Sequence, residues 1–249
     1  MSSAIYPSLK GRKVLITGGG SGIGAGLVQG FVRQGAKVHF IDLADEVSDK
    51  IETGFVDVMP VFHRCDLTDT AALEQTLGRI LADGPVTVLI NNAARDDRHT
   101  LAEATSEFFD KNIAVNLKHM IMCTRLIAPG MKTAGGGAII NFGSISWHLG
   151  LPDLALYETA KAGIEGFTRA MARELGRDNI RVTSIIPGNV KTPRQMKWYT
   201  PEGEKQIVDS QCLSGRILPE NVASLALFLA SDDASLCTGH GYWIDAGWR

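Results

Sequence analysis

Short β-branched runs alternate along this chain with stretches that carry apolar residues at helical spacing, and few architectures tolerate that rhythm. KVLIT (13–17), KVHFID (37–42), VFHRCD (61–66), VTVLINN (86–92), GAIINFGS (137–144), IRVTSIIPG (180–188) and GYWID (241–245) read as seven strands. Between most of them lie helical patterns, such as Ile23 to Gln34 and Ala71 to Leu81. Several strands are apolar nearly throughout, as parallel strands covered on both faces should be. The pattern implies right-handed βαβ units and an α/β fold: a doubly wound, seven-stranded parallel sheet flanked by helices. No Pro/Gly-rich linker, repeat or low-complexity tract divides residues 1–249, so a single domain is expected.

One stretch breaks the rhythm. Residues 191–213, KTPRQMKWYTPEGEKQIVDSQCL, are polar and carry two prolines. They read as a lid over a site, with a plain surface excursion as the alternative. Apolar residues make up 45% and charged residues 21%, close to the globular average, and the net charge of −2 offers no footprint for nucleic acid. The four cysteines are scattered and form no CxxC pair, which fits a reduced compartment. MSSAIYPSLKGRK at the start lacks the apolar core of a signal peptide, and no apolar run approaches the ~18 residues that span a bilayer. A soluble, cytoplasmic protein with a small-molecule partner is expected, without nucleic acid or membrane.

The first strand runs into TGGGSGIGAG, Thr17 to Gly26, and then a helix. Glycines there allow a tight turn and let the backbone approach a pyrophosphate at the helix N-terminus, as in a Rossmann-type dinucleotide fold. Asp42 ends the second strand 20 residues after Gly22, where a carboxylate would accept hydrogen bonds from the adenosine ribose. It would repel a 2′-phosphate, no Arg or Lys adjoins it in sequence, and Ser21 precedes Gly22. NAD is therefore expected, with NADP less favoured. No Gly-Lys-Ser/Thr follows the glycines, which excludes a P-loop nucleotidase. Further on, YETAK places Tyr157 and Lys161 four residues apart, neighbours on one helix face. Beside a cofactor, the lysine cation would favour the phenolate and make a base.

Thr17-Gly18-x3-Gly22-x-Gly24, NNAA (91–94), Asn116, Ser144, Tyr157-x3-Lys161 and PGNVKT (187–192) together resemble the short-chain dehydrogenase/reductases over essentially the whole chain. Ser144 precedes Tyr157 by the 13 residues usual in that family, while Ala94 stands where it commonly has glycine. The resemblance implies a catalytic set of Asn116, Ser144, Tyr157 and Lys161, with Tyr157 as general base at a depressed pKa. Ser144 would hold the substrate oxygen, Lys161 the nicotinamide ribose, and Asn116 a proton-carrying water. Gly18, Ser21, Gly22, Ile23 and Gly24 would cradle the pyrophosphate, and Asp66 and Leu67 would flank the adenine. Asn92, Ala93, Pro187, Gly188, Val190 and Thr192 would line the nicotinamide side, and Asn91 would brace the central strands. A homotetramer is the family's usual assembly.

DDRH (96–99), NFGSISWHLG (141–150), PGNVKTPRQMKWYTPEGE (187–204) and LCTGHGYWIDAGWR (236–249) resemble a narrower group, the bacterial aldopentose 1-dehydrogenases acting on D-xylose and L-arabinose. In that reading Asp96, Ser144, Ser146, His148, Tyr157 and Asn189 pair with sugar hydroxyls, and Trp147, Trp198 or Tyr199 lies against the sugar's apolar face. Trp198 as a lid anchor and His148 as a structural histidine stay open, as does the choice between the two pentoses. The rivals are another dehydrogenase of this fold, such as a 3-oxoacyl reductase, and a non-catalytic NAD-sensing regulator. Asp42 argues against the first and the catalytic set against the second.

Overall fold

The computed structural model describes residues 4–43, 59–197 and 199–248. Strands β1 (Lys13–Thr17), β2 (Lys37–Asp42), β3 (Val61–Arg64), β4 (Val88–Asn91), β5 (Gly137–Phe142), β6 (Ile180–Pro187) and β7 (Gly241–Ile244) form one sheet in the order β3-β2-β1-β4-β5-β6-β7. Every pairing is parallel. The expected sheet is present, but several strands stop short of their expected ends. The reason is local: Cys65, Asp66, Asn92, Ser144 and Gly188, read as strand or strand end, leave the ladder and turn into a cleft.

Eight α-helices are found among the described residues, α1 (Gly22–Arg33), α2 (Thr70–Leu81), α3 (Ser106–Ile113), α4 (His119–Thr133), α5 (Ser146–Leu149), α6 (Ala155–Leu175), α7 (Pro201–Asp209) and α8 (Pro219–Ala230). Alternation along the strands divides the core in two. Val14, Ile16, Val88 and Ile90 face α1 and α8, and Leu15, Leu89 and Ile139 face α2 and α4. Each fully buried side chain of this kind contributes roughly 1.5–3 kcal/mol. α1 lies close to α8 because glycines face it: a Cβ on Gly26 would come within 2.7 Å of the Pro219 Cβ. α6 buries Ala160, Ile164, Thr168 and Ala172 at four-residue spacing, and Lys161 lies beside that stripe.

Two elements depart from the sequence reading. The helical stretch between β4 and β5 is interrupted where hydrophobic spacing gives no sign of it: α3 and α4 are joined by a π-turn at Ala114–Lys118, where one extra residue per turn rotates Asn116 inward to 1% exposure. The 191–213 stretch is not irregular throughout. It contains a short 3₁₀ turn (Gln195–Lys197) and α7, whose N-cap Thr200 accepts from the Gly203 N–H at 3.2 Å. Val190 and Ile217 form a parallel bridge at its root.

Candidate active site

The chain leaves β1 for β2 on one side and returns past it to β4, so a crevice opens between β1 and β4 at their carboxyl ends. Thr17 and Asn91 stand level there. Thr17 Oγ1 accepts from the backbone N–H groups of Asn92 (3.1 Å) and Ala93 (3.2 Å), and Asn92 Nδ2 donates to the carbonyls of Thr17 (3.0 Å) and Gly18 (2.9 Å). These bonds fix the glycine turn against the neighbouring loop. Gly18 has φ +66°, and a Cβ on Gly24 would sit 1.8 Å from the Gly18 carbonyl oxygen, so only glycine fits this approach. Ser21 caps α1 without a side-chain bond, and the first turn carries no acid, which leaves its N–H groups to an anion. The cradle therefore fits a dinucleotide.

Asp42 lines the cleft, with Oδ2 accepting from the Gly20 N–H at 2.9 Å and Oδ1 from the Leu43 N–H at 2.7 Å. No cation adjoins it in sequence, but the register places Arg64 of β3 opposite it. That neighbour was invisible before the strands were paired. Asp66 closes a turn by accepting from Thr68 N and Oγ1, and Leu67 lies beside it on the same wall.

A single cavity of about 840 Å³ runs from this end to β6. It is lined by Gly18, Ser21, Gly22, Ile23, Gly24, Asn92, Ala93, Pro187, Gly188, Val190 and Thr192, and by Asp96, Ser144, Ser146, Tyr157, Lys161 and Asn189. Ser144 Oγ lies 2.8 Å from Ser146 Oγ and also hydrogen-bonds Tyr157. The Lys161 Nζ donates to the Phe142 carbonyl at 2.7 Å and stands 5.4 Å from the Tyr157 ring centroid. Behind the site, Asn91 donates to Asn141 and Asn141 to Thr168, each at 2.9 Å, tying β4, β5 and α6 together.

Three expectations change here. Burial raises the Tyr157 pKa to about 12, with Ser144's hydrogen bond acting against it, rather than leaving it depressed. Burial also lowers Lys161 to about 8. Asn116 does not line the cleft. Its Oδ1 accepts from the Arg95 N–H at 2.9 Å, and its Nδ2 donates to the Arg95 carbonyl and to Asn112 Oδ1, so the side chain pins the loop after β4. His148 does not line the cleft either: Glu165 Oε1 lies 3.0 Å from its Nε2, and the Trp147 and Trp243 rings pack against it. Trp147 is held there too, donating to Glu165 at 2.8 Å. Trp198 lies outside the described residues.

The remaining polar groups form a chain. Asp96 Oδ1 pairs with Arg194 at 2.7 Å, and Gln195 Nε2 reaches Asp96 Oδ2 at a long 3.4 Å. Tyr199 Oη donates to Gln195 Oε1 and accepts from Asn189 Nδ2, both at 2.6 Å. Arg216, its side chain 10% exposed, donates to Asn189 Oδ1 at 2.8 Å, pairs with Glu204 of α7 and lies 5.7 Å from the Tyr199 ring centroid. Arg194, Gln195 and Trp248 fall within stretches quoted for their resemblance but had no role of their own there, and Arg216 lies outside those stretches. Arg194 and Arg216 meet Asp96 and Asn189, which lie far from them along the chain.

A tyrosine, two serines and a buried lysine beside a dinucleotide cradle can move a proton at a carbon that exchanges hydride. Comparison with known proteins agrees with that chemistry. The family described as enoyl-(acyl carrier protein) reductase matches residues 18–249. The D-xylose 1-dehydrogenase of Caulobacter vibrioides (strain NA1000 / CB15N) is 67% identical, covering 100% of both chains. A probable galactose dehydrogenase of Rhizobium meliloti (strain 1021) is 43% identical over 99% of this chain and 98% of its own. Among solved structures, a 3-oxoacyl-[acyl-carrier protein] reductase from Brucella melitensis superposes with a TM-score of 0.89 at 29% identity, over 98% of this chain and 93% of that one.

Proposed function

The chain belongs to the short-chain dehydrogenase/reductase family, and from that premise we propose that it oxidises an aldopentose at C1, D-xylose before L-arabinose, with NAD as coenzyme. The observation that carries the sugar is the 67% identity to a D-xylose 1-dehydrogenase across the full length of both chains. The site supports it: Asp96, Ser144, Ser146 and Asn189 put hydroxyl-binding groups into one cleft.

Gly18, Gly22, Gly24, Asp42 and Thr192 would hold the dinucleotide, whose nicotinamide, when bound, accepts the hydride from C1. Ser144 holds the C1 oxygen through its hydroxyl and lowers the cost of developing charge. Tyr157 takes the C1 hydroxyl proton. For that it must first lose its own proton: the buried Lys161 amine, which is deprotonated more readily than an exposed lysine, accepts it, the resulting ammonium stabilises the phenolate, and Lys161 then releases the proton to solvent. Loss of hydride and proton from cyclic C1–OH leaves an aldonolactone, which water opens to the sugar acid. Asp42 supports NAD because its carboxylate can accept from ribose hydroxyls and repels a 2′-phosphate.

The test is NADH or NADPH formation with D-xylose, L-arabinose, D-glucose and D-galactose. The highest kcat/KM is expected for D-xylose with NAD, and silence on every aldose removes the sugar assignment. Asp42→Ala should shift the NADP-to-NAD rate ratio upward, since it removes the repelling carboxylate and keeps Arg64 of β3 nearby. An unmoved ratio rules Asp42 out as the discriminator.

A further inference from the structure

The chain has four tryptophans, and the structure sorts them. Trp147 and Trp243 pack against His148, with ring centroids 3.6 Å and 4.3 Å away, and Trp198 lies outside the described residues. Trp248 is different. It lines the cleft, half-buried, and among the described residues its indole makes no hydrogen bond, ring stack or cation contact.

The backbone is built to bring it there. Beyond Ile244, which pairs with Pro187, the chain turns through Ala246 (φ +55°) and Gly247 (φ +80°), two successive left-handed residues. The Gly247 N–H donates to Asp245 Oδ1 at 3.0 Å, and the Trp248 N–H to the Asp245 carbonyl at 3.1 Å. From the other side, the N–H groups of Cys212 (2.9 Å) and Leu213 (3.1 Å) both donate to the Ala246 carbonyl. A Cβ at Gly247 would stand 2.8 Å from the Cys212 Cβ and Sγ, so glycine is needed for space as well as for φ.

Position along the sheet says which end of the cleft the indole serves. Asp42 and Asp66 mark the far end, over β2 and beyond β3, whereas Trp248 follows β7 at the opposite edge, past Gly188. Other aromatic rings of the cleft are committed: Tyr199 has its hydroxyl bonded in both directions and Arg216 beside its ring, Tyr157 has Ser144 at its hydroxyl and Lys161 by its ring, and Phe108 packs against His99. Resting on the aldose reading above, we propose that Trp248 is the specificity wall for the sugar. Its indole face covers the apolar C–H face of the ring, and its Nε1–H donates to one hydroxyl. A pyranose presents such a face, and a flat, rigid indole covers it with little loss of side-chain freedom.

Trp248→Ala and Trp248→Phe test this with saturating NAD and varied D-xylose, alongside NAD affinity by calorimetry and Tm. The alanine variant should raise the sugar KM roughly 10-fold or more, leave kcat within a few-fold, and leave the NAD Kd within about 2-fold. Phenylalanine keeps a face and loses the donor, so it should fall between the two. If the wild type oxidises the sugar and the alanine variant keeps its KM, the wall is overturned and the activity stands. If KM and NAD Kd rise together with a fallen Tm in both variants, Trp248 is a packing residue and the proposal fails. If the wild type oxidises no aldose, the functional reading falls first and takes this proposal with it.

Discussion

Burial acts in opposite directions on the two groups of the Tyr157–Lys161 pair, and both directions matter to the reaction. Desolvation favours the neutral phenol and the neutral amine, which places Tyr157 at about 12 and Lys161 at about 8. Between pH 8 and 10.5 the unfolded chain binds more protons at Lys161 than the folded one, so this group makes stability rise with pH in that window and fall as pH drops through 8. Tyr157 acts at the alkaline end, where stability is lost as pH rises from 10 through 12. Lys161→Met should therefore abolish a rise on the order of a few kcal/mol in urea unfolding between pH 7 and 10. Parallel curves for the two proteins would show that this lysine is not desolvated. Tyr157→Phe should keep NAD affinity and lower kcat by roughly 10²–10⁴-fold, and turnover near the wild-type rate would remove Tyr157 as base. The pair was legible from its spacing alone, because one turn of helix fixes which side chains meet. His148 was not: its direction is set by Glu165 and Trp243, 17 and 95 positions away, and no local pattern encodes that.

At the level of elements, the glycine turn and the strand rhythm were readable because their rules are local, whereas the departures arise where side chains override them. The π-turn at Ala114–Lys118 leaves no signature in hydrophobic spacing, since Asn116 is turned inward to meet the Arg95 backbone. α7 carried its own start signal, Thr200 before Pro201 and Glu202, but it buries only Ile207 and so shows no apolar face. Arg216 holds that helix to the cleft, joining Glu204, Asn189 and the Tyr199 ring. Arg216→Met should raise the sugar KM by about 10-fold while the NAD Kd holds, because removing one partner strands the carboxylate and frees Asn189. Separate titrations of sugar and coenzyme decide it: an equal loss for both ligands would mean that Arg216 supports the whole cleft rather than its sugar end.

Across the whole molecule, seven parallel strands set the carboxyl ends of β1, β4, β5 and β6 in one row, and the glycine turn, Asn92, Ala93, Asp96, Ser144, Gly188 and Asn189 stand on or just beyond that row, with Tyr157 and Lys161 brought to it by α6. This is why so much of the site could be read from sequence: the positions after each strand are the positions of the cleft. The residues that could not be read reach it from elsewhere, and only tertiary structure brings them in. A coenzyme that spans the row should stabilise the entire fold, so NAD at 100 times its Kd should add about 2.7 kcal/mol and raise Tm, with NADP adding less at equal concentration. A larger shift with NADP in thermal scans would reverse the coenzyme assignment. Thr192, at the root of the 191–213 segment, packs onto the glycine turn, 3.2 Å from where a Cβ on Gly22 would be. On the proposed reading, the segment that borders the sugar begins on top of the floor meant for the dinucleotide, and the expected outcome is a schedule in which the coenzyme is first to arrive and last to depart while the sugar comes and goes above it.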